Sequence, residues 1–196
     1  MRKIDEILAF NEKFVENKDY EKYLTTRFPN KKLVIVSCMD TRLTEMLPKA
    51  MNLKNGDVKM IKNAGAIITS PFGNIMRSII ISLYELQAQE VLIVGHHQCG
   101  MTGIDPEAIV NKMVERGISQ ETIETLRHSG INLNRWLQGF DNVRASVENS
   151  AAIVRNHPLL PSGTPVHGLI VHPETGKLDL VVDGFDYLPE AQQSAF

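Results

Sequence analysis

Short apolar runs rich in β-branched residues alternate along this chain with longer segments whose apolar positions recur every three or four residues. The short runs predict buried strands, and the longer segments predict amphipathic helices. Because strands alternate with helices, we expect an α/β fold with a mainly parallel central sheet and helices on both faces. The predicted strands are 33–37, 58–61, 91–94, 166–171 and 178–182, and the predicted helices are 2–17, 43–52, 74–87, 105–117, one that begins at Ser119, and 142–157.

Three segments depart from this simple alternation. The N-terminal helix precedes the first strand, so it either covers its own sheet or reaches across to another subunit. Residues 103–139 are interpreted as a helical insertion near the site, acting as a lid or, as the favoured alternative, as packing cover. A turn at 173–177 predicts a hairpin, which makes the last strand an antiparallel edge. We expect residues 1–196 to form a single domain, with the polar tail after Asp186 loosely held.

Composition excludes several classes of function. A net charge of −2 gives no electrostatic basis for binding nucleic acid. No apolar run approaches the ~20 residues that cross a bilayer. The charged start, with no apolar segment of a secretory signal, predicts a cytoplasmic protein without a membrane partner. With only two cysteines in the chain, metal binding or catalysis is a more plausible use than a disulfide framework, although a Cys38–Cys99 disulfide stays open as an alternative.

Metal-ligand residues follow two of the predicted strands directly. Cys38 ends the run that begins at Leu33, and His96 and Cys99 follow the strand at 91–94. In open α/β sheets, ligands bind outside the carboxyl ends of the strands, so these side chains are expected in one crevice. Two thiolates and one imidazole suit zinc, with water as the fourth ligand. His97 is a competing ligand, for which a supporting or packing role is preferred, and the remaining histidines are treated as ordinary: His128, His157, His167 and His172.

Asp40 and Arg42 lie beside Cys38 at spacings that let all three side chains face the crevice. The two charged groups are close enough to pair, which would hold the carboxylate ionised. Such a carboxylate can orient a metal-bound water, and Arg42 would add positive potential for an anionic product. Alone, the pair would be read as a loop salt bridge, but next to a candidate ligand the catalytic interpretation is favoured. The small-residue loop 62–66 would let the backbone approach a ligand, although a simple tight turn is favoured.

Taken together, Cys38-x-Asp40-x-Arg42 and Gly95-His96-x-x-Cys99-Gly100 resemble the β-class carbonic anhydrases, most of all their short bacterial branch. The similarity extends to the loop 63–65 and to the closing hairpin 168–178. The resemblance implies a carbonate dehydratase, a lyase that reversibly hydrates carbon dioxide to bicarbonate and a proton through zinc-bound hydroxide. It implies one zinc ion per chain, held by Cys38, His96 and Cys99, with Asp40 and Arg42 as catalytic residues.

The resemblance also implies features outside the core reaction. In some members the aspartate ligates zinc in a closed resting site, and Asp40 could do the same. Members are dimers or larger, so a homodimer or tetramer is expected here. Members with a regulatory bicarbonate site use a tryptophan, an arginine and a tyrosine; at the matching places this chain has Ile35, Lys62 and Val171, so we expect it to lack that site. Gln98 stands where an acidic or small polar residue is common.

Two rival functions stay open. The first keeps the fold and the zinc but acts on carbonyl sulfide or carbon disulfide, which are linear and apolar like carbon dioxide. The second is a non-catalytic zinc-binding or anion-binding protein. The Asp40–Arg42 pair argues against the second, because a structural zinc site is closed by four protein ligands and needs no such pair.

Overall fold

A five-stranded sheet forms the centre of the protein in the computed structural model, which describes residues 1–189. The strands are β1 (Leu33–Cys38), β2 (Val58–Asn63), β3 (Glu90–His96), β4 (Val166–Val171) and β5 (Leu178–Val182). Their spatial order is β2-β1-β3-β4-β5, and every neighbouring pair is parallel except β4 with β5. The predicted fold class, with its antiparallel edge strand, is therefore confirmed.

Seven α-helices connect and cover these strands in the described part of the chain. Asp105 caps the helix Pro106–Glu115 and Ser119 caps the helix Gln120–His128, by accepting from the backbone N–H groups of Glu107 and Thr122, which confirms both predicted helix starts. The helix predicted over 74–87 ends earlier, at Tyr84 with Glu85 as its C-cap, and Gln87 beyond it has a positive φ of 60°. The helices are α1 (Lys3–Glu16), α2 (Leu43–Ala50), α3 (Asn74–Tyr84), α4 (Pro106–Glu115), α5 (Gln120–His128), α6 (Leu133–Leu137) and α7 (Val143–Arg155).

The two faces of the sheet bury separate apolar clusters. On one face Val34 and Val36 of β1 pack with Ile79 of α3 and Val154 of α7. On the other face Ile35 packs in a cluster with residues of α2. This alternation follows from the pleat of a strand, whose successive side chains point to opposite faces. The helices therefore cover both faces, as the sequence pattern predicts.

The insertion and the N-terminal helix lie outside these two clusters. The insertion begins and ends at one stem, where Gly103 N–H donates to the Phe140 carbonyl at 2.9 Å. Its buried residues Val110, Ile123 and Leu133 form a small core of their own. Neither the lid nor the packing interpretation is tested by this arrangement, and both stay predictions. None of the 14 residues of α1 is buried.

Two further expectations concern the ends of the chain and the bilayer. Among residues 1–189, no helix has both the length and the apolar composition needed to cross a membrane. The tail predicted to be loosely held after Asp186 lies, from residue 190 onward, outside the described residues. Of the described residues after Asp186, Tyr187 is the last residue of a short 3₁₀ helix, Gly184–Tyr187.

Candidate metal centre

The carboxyl ends of two neighbouring parallel strands bring the three predicted ligands together. Cys38 is the last residue of β1 and His96 the last of β3, and these strands pair directly. Cys99 follows three residues after His96 in the loop beyond the strand. One sulfur from each cysteine and one imidazole nitrogen all lie within 4.8 Å of one another, and all three residues are buried. The sheet topology thus assembles donors that are about 60 residues apart in the chain.

The two sulfur atoms are unbonded and separated by a distance that suits a shared metal ion. Cys38 and Cys99 are both free, and their Sγ atoms are 3.9 Å apart. Two sulfurs that bind one zinc ion at about 2.3 Å in tetrahedral geometry lie about 3.8 Å apart. The disulfide alternative is therefore not what this structure adopts, and the sulfur spacing fits zinc.

His96 presents one nitrogen to the two sulfurs because its other nitrogen is already engaged. The Nδ1 atom lies 2.8 Å from the carbonyl oxygen of His97, to which it donates its hydrogen. The neutral ring then carries a lone pair on Nε2, the form in which histidine binds metals. Within residues 1–189 this buried Nε2 has no hydrogen-bond partner. A buried acceptor without a donor is costly, and a bound cation would satisfy it.

The electrostatics of the two thiols also fit a cation. The contact with Cys99 lowers the pKa of Cys38 well below its ordinary value, and the same contact raises the pKa of Cys99. The first thiol thus ionises readily, whereas the second resists because a thiolate already lies beside it. Gly65 N–H, 3.3 Å away, also donates to the Cys38 sulfur. The small-residue loop after β2 therefore brings its backbone close to a candidate ligand.

Asp40 and Arg42 form the predicted ion pair at the rim of this donor cluster. Arg42 Nε donates to Asp40 Oδ1 at 3.0 Å, and Arg42 Nη2 donates to Oδ2 at 2.8 Å. This bidentate contact lowers the pKa of Asp40 to about 2, so the carboxylate is ionised at neutral pH. Its Oδ2 atom lies 3.8 Å from His96 Nε2. The ionised Asp40 carboxylate, a hydrogen-bond acceptor, thus lies beside the candidate metal ligands and is held there by the Arg42 guanidinium.

Gln98 is a residue of this site to which sequence reasoning assigned no role. Its side-chain oxygen accepts from Arg42 Nη1 at 3.1 Å, and its backbone carbonyl accepts from Arg42 Nη2 at 3.0 Å. The two residues are 56 positions apart. No local pattern in the sequence signals this contact, because it exists only once β1 and β3 are paired.

The other residues named from the sequence lie around this centre or away from it. His97 supports His96 through its carbonyl oxygen, and its ring lies 5.9 Å from that of His172. At the places matching a regulatory bicarbonate site, Ile35 and Val171 are buried in the α2-side apolar cluster, and Lys62 is exposed on β2. The expected lack of that site stays a prediction.

One of the histidines treated as ordinary has acidic neighbours that the sequence did not reveal. His167 Nε2 lies 3.3 Å from Glu90 Oε2, and its Nδ1 lies 3.5 Å from Asp183 Oδ1. Glu90 begins β3, so this cluster lies at the amino end of a strand whose carboxyl end carries His96. His167 has no acidic neighbour along the chain, and only the fold brings these two carboxylates to it.

Comparison with known proteins identifies relatives over most of the chain. The family model described as carbonic anhydrase matches residues 33–178. YvdA of Bacillus subtilis (strain 168), a protein named provisionally as a carbonic anhydrase, is 56% identical over 186 residues, which cover 95% of this chain and 94% of that protein. A carbon disulfide hydrolase of Acidithiobacillus thiooxidans is 27% identical over 157 residues, 76% of each chain.

A solved structure has the same architecture as this chain. The crystal structure of β-carbonic anhydrase isoform I from Trichomonas vaginalis superimposes with a TM-score of 0.84 at 35% sequence identity, covering 94% of this chain and all of that one. The family match, residues 33–178, spans well over half of the sequence and includes Cys38, His96 and Cys99. The chain belongs to the β-carbonic anhydrase family.

Proposed function

We propose that this protein is a zinc-dependent carbonic anhydrase that reversibly hydrates carbon dioxide to bicarbonate and a proton. One observation carries the proposal: a buried Cys38, His96 and Cys99 cluster with an ionised carboxylate, held by an arginine, at its rim. Three protein ligands leave a fourth zinc position open, as catalytic zinc sites do. A purely structural zinc site would have no use for the adjacent Asp40–Arg42 pair.

The residues around the cluster would divide the work as follows. Cys38, His96 and Cys99 would hold one zinc ion, which supplies the Lewis acidity that makes water a nucleophile near neutral pH. Asp40 is an acceptor throughout the neutral range, so it would take a hydrogen bond from the reacting water and orient it. Arg42 keeps that carboxylate ionised and adds positive charge where the anionic product forms.

Metal analysis combined with a stopped-flow hydration assay tests this proposal. We expect about one zinc ion per chain, as three protein ligands imply, and carbon dioxide hydration well above the buffer rate. Removing zinc with a chelator should abolish the activity, and zinc added back should restore it. A zinc-replete protein that hydrates carbon dioxide only at the background rate across pH ~7 to 9, the range in which zinc activates water, would instead favour the non-catalytic binding function.

A second candidate substrate class has specific support. The relative from Acidithiobacillus thiooxidans is named a carbon disulfide hydrolase, so the family includes enzymes for sulfur analogues of carbon dioxide. Higher identity to YvdA favours carbon dioxide here. Parallel assays of one zinc-loaded preparation on carbon dioxide, carbonyl sulfide and carbon disulfide would separate the two, because kcat/KM ranks competing substrates directly.

We further propose that residues 1–196 act as one cytoplasmic domain that assembles as a homodimer or tetramer. The free thiols support a reducing compartment. The support for assembly is α1, on which Ile7 is 62% and Phe10 70% exposed. An unburied apolar helix face of this kind marks an interaction surface. Light scattering on the protein and on an Ile7→Asp variant would test this assembly. The variant is expected to form a smaller oligomer, with a lower molar mass in solution.

A further inference from the structure

Gln98 links the two loops that carry the candidate zinc ligands. It lies between His96 and Cys99, in the loop after β3, whereas Arg42 lies in the loop after β1. The side chain and the carbonyl of Gln98 both accept hydrogen bonds from the Arg42 guanidinium. The other Arg42 hydrogen bonds within residues 1–189 are all with Asp40, in the same loop.

Gln98 fixes the guanidinium from the side that Asp40 leaves free. Asp40 takes the Nε and Nη2 hydrogens on one edge, and Gln98 takes hydrogens of Nη1 and Nη2 on the other. Because the guanidinium is planar and rigid, acceptors on both edges determine its orientation. Asp40 alone could not do this, since it belongs to the same loop as Arg42 and would move with it.

The backbone conformation of Gln98 indicates that this residue acts through its side chain and not only by forming a turn. Its φ is +56°, in the left-handed region that glycine adopts at little cost and other residues do not. A turn alone would therefore be formed as well or better by glycine. Glutamine adds the one thing glycine lacks here, which is the Oε1 acceptor on Arg42 Nη1. Non-glycine residues held in this conformation concentrate at functional sites.

We propose that Gln98 is a positioning residue that holds Arg42, and through Arg42 holds Asp40, in the orientation that serves the reacting water. This inference rests on the carbon dioxide hydration proposed above. Asp40 Oδ2 is 3.8 Å from His96 Nε2, so the carboxylate already lies at the edge of the ligand cluster. By keeping the arginine in place, Gln98 keeps the carboxylate from moving onto that cluster.

The first arm of the test compares two glycine substitutions in zinc-loaded protein. In Gln98→Gly, kcat/KM is expected to fall about tenfold, the effect of losing one hydrogen bond to a charged group, while zinc content is retained. Gln87→Gly is the matched control, because Gln87 has the same residue type and nearly the same φ of +60° on an exposed turn. The control is expected to keep wild-type kcat/KM.

The second arm reports on Arg42 without measuring activity. In ¹⁵N-labelled, zinc-loaded protein, the Nε–H signal of Arg42 is identified by its loss in Arg42→Lys. We expect this hydrogen to exchange with water slowly in wild type and in Gln87→Gly, and several times faster in Gln98→Gly. Gln98→Glu retains an acceptor at the same position, so its exchange is expected to stay slow.

The two readouts must change together for the proposal to hold. Wild-type kcat/KM in Gln98→Gly would overturn it, and so would a loss of activity with unchanged Arg42 exchange, or fast exchange in Gln98→Glu. If zinc-loaded wild type fails to hydrate carbon dioxide, the proposed function is wrong, and the exchange comparison still decides whether Gln98 holds Arg42.

Discussion

Two histidines lie near acidic side chains at opposite ends of the central strands, and their ring nitrogens are hydrogen-bonded differently. His96 has Asp40 at 3.8 Å, and His167 has Glu90 at 3.3 Å and Asp183 at 3.5 Å. Carboxylates alone therefore do not distinguish a candidate ligand from a structural histidine.

The difference lies in what the second ring nitrogen does. His96 donates from Nδ1 to a carbonyl, which leaves the Nε2 lone pair facing two sulfurs. His167 accepts at Nδ1 from Gly184 N–H, so in the neutral ring Nε2 carries the hydrogen and faces Glu90. A nitrogen that carries a hydrogen cannot bind a metal. We therefore interpret His96 as a ligand and His167 as a link between β3, β4 and the Gly184 turn.

The largest expected effect comes from removing one of the candidate zinc ligands at the carboxyl ends of β1 and β3. Cys38→Ser, His96→Ala and Cys99→Ser should each lose both zinc and carbon dioxide hydration, because the three residues are proposed to share one coordination site. Elemental analysis and stopped-flow kinetics on the same preparation measure the two losses. His167→Ala is the matched control and should keep both. A zinc-free His167→Ala protein would contradict the distinction between the two histidines.

Removing the charge of Asp40 should separate turnover from metal binding. Asp40→Asn is expected to retain zinc and to lose about a hundredfold in kcat, within the range for a positioned proton-accepting group. Asp5→Asn is the control, because Asp5 makes the same bidentate pair with Arg2 on the exposed start of α1. Full activity in Asp40→Asn would show that the pair at the site is only a loop salt bridge.

Gly65 supports the sulfur side of the cluster through its backbone. Gly65→Ala should lower zinc affinity about tenfold, the effect of disturbing a hydrogen bond to a ligand. The residue has φ +73°, and a new Cβ would lie 3.0 Å from Ile67 and 3.1 Å from Met101. Gly176→Ala, at φ +72° and away from the cluster, carries the same backbone cost. Competition with a zinc indicator measures both variants, and equal affinities would contradict a role for the Gly65 N–H.

The smallest effect is expected at the amino end of the strands. His167→Ala should lower the free energy of unfolding by about 2 kcal/mol, since it leaves the Glu90 carboxylate and the Gly184 N–H without their partner. Urea unfolding of the zinc-loaded proteins measures this change. Glu90→Gln, which keeps an acceptor for His167, should cost less. An undiminished unfolding free energy in His167→Ala would show that this cluster does not link the strands.

The elements of the fold were accessible from the sequence because periodicity is local. The five strands and the two caps at Asp105 and Ser119 follow from residues within a few positions of each other. The end of α3 at Tyr84 was not accessible, since residues 85–87 contain no glycine or proline that would mark it. Cys38, His96 and Cys99 could be named as candidates because each follows a strand, and parallel strands align their carboxyl ends.

The chain by itself determined the strands and most of the helices, though not α6, and it determined which side chains follow the strands and that Asp40 and Arg42 are near enough to pair. Only the tertiary structure decided that Gln98 holds Arg42, that His167 meets two carboxylates, and which nitrogen of His96 faces the sulfurs. The physical reason is the separation along the chain between the residues in contact. Periodicity and spacing encode contacts within a few residues, whereas these contacts join distant segments and depend on strand register and on the backbone conformation of the loops.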